Sequence, residues 1–293
     1  MIPNWLRVFC VLGSVLTASP LVASIVRADD LNVPGDVIRF TTFFKSVVQR
    51  YSDGDDSLVE RWPDQIKFCI FGDYSEQTKQ TLEGFVSVLT DNTALDIWRI
   101  FKSRAQDCDN DTSLFIRFHS GEQGIVESLI ADVSWIAPRH GTEIPYSRFK
   151  FNEYGMAISA RQPGQPPYGY VAVYQFDRSD DGLGKALFLR TLEQQLLRVL
   201  ARVGNGSSDE AAYSVLNAPI SPDDPGGAYP SNLCADDMML LLTLYGSNRA
   251  TAPKFYSLSS YEDQIKQNFN ELKSKANSIL NDPKYRSTFP RKC

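Results

Sequence analysis

Apolar residues recur along this chain with a helical period in some stretches and in short continuous runs in others. In GDVIRFTTFFKSVVQRY, residues 35–51, Val37, Phe40, Phe44, Val47 and Tyr51 share one face, which predicts a packed helix stopped by the polar run SDGDD. Ile66 to Phe71 is continuously apolar apart from Lys67 and closes on Gly72-Asp73, the pattern of a buried strand. A second helix is predicted over 75–91, opening near Ser75 and burying Leu82, Phe85, Val86 and Leu89. Ser113 to Phe118 reads as another strand, and Gly121 to Ala131 as a short helix before an irregular stretch around Trp135 to Phe149.

Next come GMAISA and YVAVYQF, a strand pair joined by RQPGQPPYG. Pro163, Pro166 and Pro167 carry no N–H and so belong to the loop. The stretch FLRTLEQQLLRVLARVGN, residues 188–205, then places Leu189, Leu192, Leu196, Val199, Leu200 and Val203 on one apolar stripe of a helix. The turn-rich residues 204–232 are too long for a plain connection, which marks them as functional or mobile. Asp236 to Tyr245 suits a core helix. A last helix is expected from Ser259, with Glu262 completing a capping box, through Ile265, Phe269, Leu272, Ala276 and Leu280. The sum is an α+β domain over 35–250, built on a small mixed sheet with packed helices, with a C-terminal helix and tail, 251–293, packed on it.

The N-terminal end changes the setting. Residues 1–28 carry one early cation, Arg7, then an apolar stretch from Val8 to Val26 with Pro20 near its end and Val-Arg-Ala before Asp29. That layout predicts a cleaved secretory signal, followed by a short tail at 29–34. No later segment predicts a membrane span. Loss of Arg7 and Arg27 would make a chain of formal net charge −5 more acidic still, which gives no electrostatic case for nucleic acid. Cys69, Cys108, Cys234 and Cys293 would remain, an even number that predicts disulfides in an oxidising compartment, with three connectivities open. They are too far apart for a zinc knuckle or a thioredoxin-type pair.

Leu192-Glu193-Gln194-Gln195-Leu196 is the nearest approach to a catalytic signature. Zinc peptidases with H-E-x-x-H use imidazoles at i and i+4 to hold one ion and the intervening Glu as general base. Here Leu192 and Leu196 occupy the two ligand places, and leucine has no lone pair to donate; only Glu193 is kept. His119 and His140 have no spacing that brings them to Glu193 and are read as ordinary surface or core residues. Asp107 to Asp111 resembles the opening of a calcium loop, but Thr112 stands at the glycine place and Phe118 at the bidentate Glu place, so it reads as a solvated acidic turn. Tyr146, Tyr154, Tyr168 and Tyr170 belong to an aromatic-rich stretch that could recognise a peptide or glycan, or pack a core.

From about Val37 to Tyr245 the chain resembles the secreted bacterial family catalogued as domain of unknown function 2927. The matching features are an aromatic helix leading to Leu58-Val59-Glu60-Arg61-Trp62, the strand ending Phe71-Gly72, the hairpin, and an acidic helix followed by a loop with paired aspartates. Glu193-Gln194 keeps the first member of that family's acidic pair; Leu197 replaces its Gln, Val199-Leu200 its Leu-Gly, and Asp223-Asp224 resembles its Asn-Asp-Asp run without the Asn. The resemblance implies a zincin-like architecture with the metal ligands missing.

Together these observations predict an exported protein, periplasmic in a Gram-negative bacterium, that binds a protein, peptide or glycan and needs no cofactor or metal. The alternative is a hydrolase using Glu193 with acids of the 205–228 loop, among them Asp209, Glu210, Asp223 and Asp224.

Overall fold

The computed structural model describes residues 34–48, 57–120, 125–141, 155–160, 168–174, 182–202, 214–217, 233–246, 255–286 and 288. Its centre is a five-stranded mixed sheet made of β2 (Gln65–Gly72), β3 (Asp96–Phe101), β4 (Leu114–His119), β5 (Gly155–Ala160) and β6 (Tyr168–Tyr174). A separate antiparallel pair joins β1 (Leu58–Glu60) to β7 (Phe255–Ser257).

The main sheet runs β3-β2-β4-β6-β5; the first four strands are parallel and β5 is antiparallel at one edge. Parallel strands are covered on both faces, which explains why β2 and β6 read as apolar runs rather than alternating ones. Helix α2 (Glu76–Asn92) carries the chain from β2 outward to β3, and α3 (Ile125–Arg139) follows β4 as the chain moves the other way. Leu129, Val133, Ile136 and Ala137 of α3 pack with Cys69, Phe71, Phe115, Tyr170 and Ala172 in one core cluster.

Strand β3 was not expected from the sequence. It is an edge strand with Asp96, Trp98 and Arg99 exposed, so its pattern is neither an apolar run nor a clean alternation. Helix α2 does begin as expected, with Ser75 Oγ accepting from the Thr78 N–H at 3.1 Å. Helix α3 runs further than expected, to Arg139, and includes Pro138.

Helices α1 (Gly35–Val47) and α6 (Leu258–Asn281) pack together through Phe40 against Phe269 and Phe44 against Tyr261, with ring centroids 6.3 and 5.3 Å apart. The cap of α6 differs from the expected box: Ser257, not Ser259, is the N-cap and accepts from the Ser260 N–H at 3.2 Å. Glu262 instead pairs with Lys45 of α1 at 2.8 Å. Pro34 to Cys293 forms one compact unit in which α6 also packs on α5 (Ala235–Tyr245). Among the described residues no helix is long and apolar enough to cross a membrane.

Cys69 of β2 is bonded to Cys108, which follows a 3-10 turn at Ala105–Asp107. Of the connectivities left open by the sequence, this selects the pairing of Cys69 with Cys108; Cys234 is also disulfide-bonded. The residues expected to form the signal lie outside the described residues.

Candidate functional site

Helix α4 (Gly182–Leu200) follows β6 directly and packs on β5 and β6. Glycines bring it close. A Cβ on Gly169 would lie 2.6 Å from Val199 Cγ1 and 2.8 Å from Leu114 Cδ1, and one on Gly155 would lie 2.7 Å from Thr191 Cγ2. The last carbonyls of a helix need outside partners. Val199 O accepts from Trp62 Nε1 at 2.8 Å, and Leu200 O accepts from the Tyr245 hydroxyl at 2.5 Å. Arg202, just past the helix, is left-handed at φ +48°. Its buried guanidinium pairs with buried Glu60 at 2.7 Å and lies 5.6 Å from the centre of the Trp62 ring. Thus Glu60 and Trp62 of the motif that follows α1 anchor the end of α4.

Along the middle of α4 the expected division into apolar and polar faces fails. Leu192 and Leu196 are at 0% exposure, and so is Glu193 between them; Thr191, Gln194 and Gln195 are buried as well. Two segments cover the polar side. One is the 3-10 turn Val215–Asn217 with Ser214 before it, and the other is Leu233-Cys234 leading into α5. Gln194 Nε2 donates to Val215 O at 2.9 Å, and Arg198 Nη2 to Leu216 O at 3.3 Å.

Two carboxylates hold these segments. Glu193 Oε2 accepts from the Leu233 N–H at 2.8 Å, while its Oε1 has no hydrogen-bond partner. Asp237 of α5 accepts from the Cys234 N–H at 2.8 Å and the Val215 N–H at 3.0 Å through Oδ2, and from the Ser214 hydroxyl through Oδ1. Burial pushes Asp237 up to about 7, against the lowering effect of these donors. Burial also holds Glu193 well above the usual carboxylate range; the Leu233 N–H pulls it down and the neighbouring Asp237 raises it further. Both are shifted towards the protonated form because a charge there has lost its water.

The remaining candidates are dispersed. Tyr168 and Tyr170 do not form an exposed recognition surface: both are buried, because β6 is an inner strand covered on both faces. The Tyr170 hydroxyl donates to Asp132 at 2.9 Å, beside the Arg117–Asp132 ion pair at 2.5 Å, and Tyr168 stacks on His140 with centroids 4.6 Å apart. His119, at the end of β4, is buried, its Nε2 makes no hydrogen bond, and burial lowers it to about 4. The acidic turn is answered from within the protein: Lys67 bonds Asp109 at 2.6 Å and Asp111 at 2.8 Å, and Arg104 bonds Asp107. Tyr146, Tyr154, Asp209, Glu210, Asp223 and Asp224 lie outside the described residues. Among the described residues no three His, Cys, Asp or Glu side chains are grouped as a metal site.

The sequence reading missed Asp237, Ser214 and Gln194. A signal for Asp237 exists in retrospect: Asp236-Asp237 opens a helix that is otherwise apolar except for Thr243, and an acid three residues after a helix cap can bond back to the cap N–H. Nothing in the sequence ties Ser214 or Gln194 to it. Comparison with known protein families, with curated proteins and with solved structures finds no match to this chain.

Proposed function

We propose that this chain is an exported, non-catalytic binding protein on a zincin-like scaffold, in which the helix that would carry a metal centre has become an internal beam. The observation that carries this reading is the state of α4: Leu192 and Leu196 are packed at 0% exposure, and Glu193 between them is spent on the Leu233 N–H. A general base must reach its substrate's proton within hydrogen-bond distance, directly or through one water. A fully buried carboxylate flanked by leucines does not. The mixed sheet followed directly by α4 supports the zincin-like scaffold, and the resemblance to domain of unknown function 2927 agrees with it. A disulfide between Cys69 and Cys108 supports export, since such bonds persist in oxidising compartments. The partner would be a periplasmic protein, peptide or glycan.

A second reading, a hydrolase using Glu193 with an acidic partner, draws on Asp237, whose carboxylate is coupled to that of Glu193. It requires that both be uncovered. The two readings separate in one experiment: the mature protein, purified without chelator, is assayed on a protease-substrate library with and without added zinc, beside Glu193→Gln. The binding reading expects no turnover that depends on Glu193. Metal-dependent cleavage lost in Glu193→Gln would overturn it.

A further inference from the structure

We propose that β3 is a self-pairing edge: two copies of this chain join β3 to β3, antiparallel about a two-fold axis at Arg99, and continue the five-stranded sheet from one molecule into the next. The inner side of β3 is already used. The Asp96 and Lys102 N–H groups donate to Asp64 O at 2.7 Å and to Ile70 O at 2.8 Å. The N–H and C=O of one residue point to the same side and alternate along a strand, so Asp96, Trp98, Ile100 and Lys102 bond towards β2. Ile97, Arg99 and Phe101 direct theirs to the outer edge, where no hydrogen bond meets them among the described residues. Such an edge is a template for a further strand. Beside it stands Trp98, 64% exposed and the most exposed large apolar side chain among the described residues.

The strand is complementary to itself. With the axis at Arg99, Ile97, Arg99 and Phe101 lie opposite Phe101, Arg99 and Ile97 of the second copy, and every N–H and C=O that these residues turn outward finds a partner. The residues between them form the closer, non-hydrogen-bonded pairs: Trp98 against Ile100 and Asp96 against Lys102, each twice. Matching of faces allows slips only in steps of two residues. A slip one way sets Phe101 against Leu95, whose N–H already bonds to Thr93 Oγ1 at 3.2 Å. A slip the other way sets Ile97 against Ser103, beyond the strand. Either slip also parts Asp96 from Lys102.

Charges on an edge ordinarily discourage pairing. Here they select the occupant, because Asp96 and Lys102 find opposite charges on a copy of the same strand, whereas a foreign strand would offer only its backbone. Arg99 meets its own counterpart at the axis, the one like-charged pair. Its side chain is exposed and has solvent to turn to. Pairing would also cover part of Trp98 with Ile100 of the second copy. The result is an isologous dimer, in which one patch serves both partners. This inference is independent of the binding reading and holds equally for a hydrolase.

The test is sedimentation equilibrium of the purified protein from about 5 to about 500 µM, the range in which a small interface shows itself. The expected result is a reversible dimer. Asp96→Lys and Lys102→Asp should each weaken it by about ten-fold or more, since two opposite-charge pairs become two like-charge pairs, and the double reversal should restore it to within about three-fold. Hydrogen exchange on the natural protein reads the same contact without a variant: the Ile97, Arg99 and Phe101 amides gain protection at the high concentration, while those of Trp98, Ile100 and Lys102 are protected throughout. A monomer at about 500 µM overturns the proposal and leaves the edge to a foreign strand. A dimer that withstands both single reversals, or that the double reversal does not restore, overturns it as well, and so does one in which the three outward amides exchange alike at both concentrations.

Discussion

Replacing Arg202 with glycine sets two local effects against each other. Arg202 sits two residues past the end of α4 with φ +48°, a conformation in which a side chain costs about 1 kcal/mol and which helix ends usually give to glycine. On backbone grounds alone, Arg202→Gly should therefore stabilise. The side chain argues the other way. Its guanidinium, 1% exposed, pairs at 2.7 Å with Glu60, 0% exposed, and removing one partner of such a pair costs about 3–5 kcal/mol because a charge is left buried. The net expectation is a destabilisation of about 2–4 kcal/mol, or roughly 4–16 °C in Tm for a chain of this size. Urea denaturation followed by tryptophan fluorescence measures it, with Trp62 reporting directly since its ring lies beneath the guanidinium. The double variant Glu60→Gln with Arg202→Gly should recover at least half of the loss, because the stranded charge is gone. An Arg202→Gly protein as stable as the parent, or a double variant as weak as the summed singles, would refute this account of how α4 is anchored.

Two further outcomes follow from the same structure. Leu196→Ala should cost about 2–5 kcal/mol in urea denaturation, since the side chain is fully enclosed; a loss below about 1 kcal/mol would mean the position is open enough to have held something else. His119, lowered to about 4 by burial and by Arg117, binds a proton more readily unfolded than folded. Its contribution is present above about pH 6.5 and is lost as pH falls through about 4, up to about 3 kcal/mol. His119→Phe should flatten this acid limb, and an unaltered limb would show that the imbalance lies elsewhere.

The periodic signals that were legible in the sequence came from elements with a single unambiguous environment. Continuous apolar runs marked β2 and β6, and the aromatic stripe marked α1, because these elements are buried uniformly or on one fixed face. Strand β3 was illegible because an edge strand with Trp98 outward obeys neither pattern. Glu193 was identified, but its setting was not: helical periodicity places it at the margin of a stripe, and only tertiary structure brings Leu233 and Ser214 over that margin. Asp237 was missed for a related reason, since its role depends on chain segments about twenty and forty residues away meeting at one helix start.

The bond between Cys69 and Cys108 changes how far apart the centre of the sheet is along the chain. Strands β2 and β4 are neighbours, with Cys69 opposite Phe115, yet β3 lies between them in sequence. Without the cross-link, that parallel pairing must close a loop of roughly 46 residues. With it, the path from Cys69 to Phe115 is about seven residues and one bridge, which lowers the entropic cost of closure by about 1.5 kcal/mol. A non-local contact becomes a nearly local one. An oxidised chain can therefore assemble the middle of its sheet before the outer strand β3 has found its place, and contact order calculated from the sequence alone overstates the search it faces.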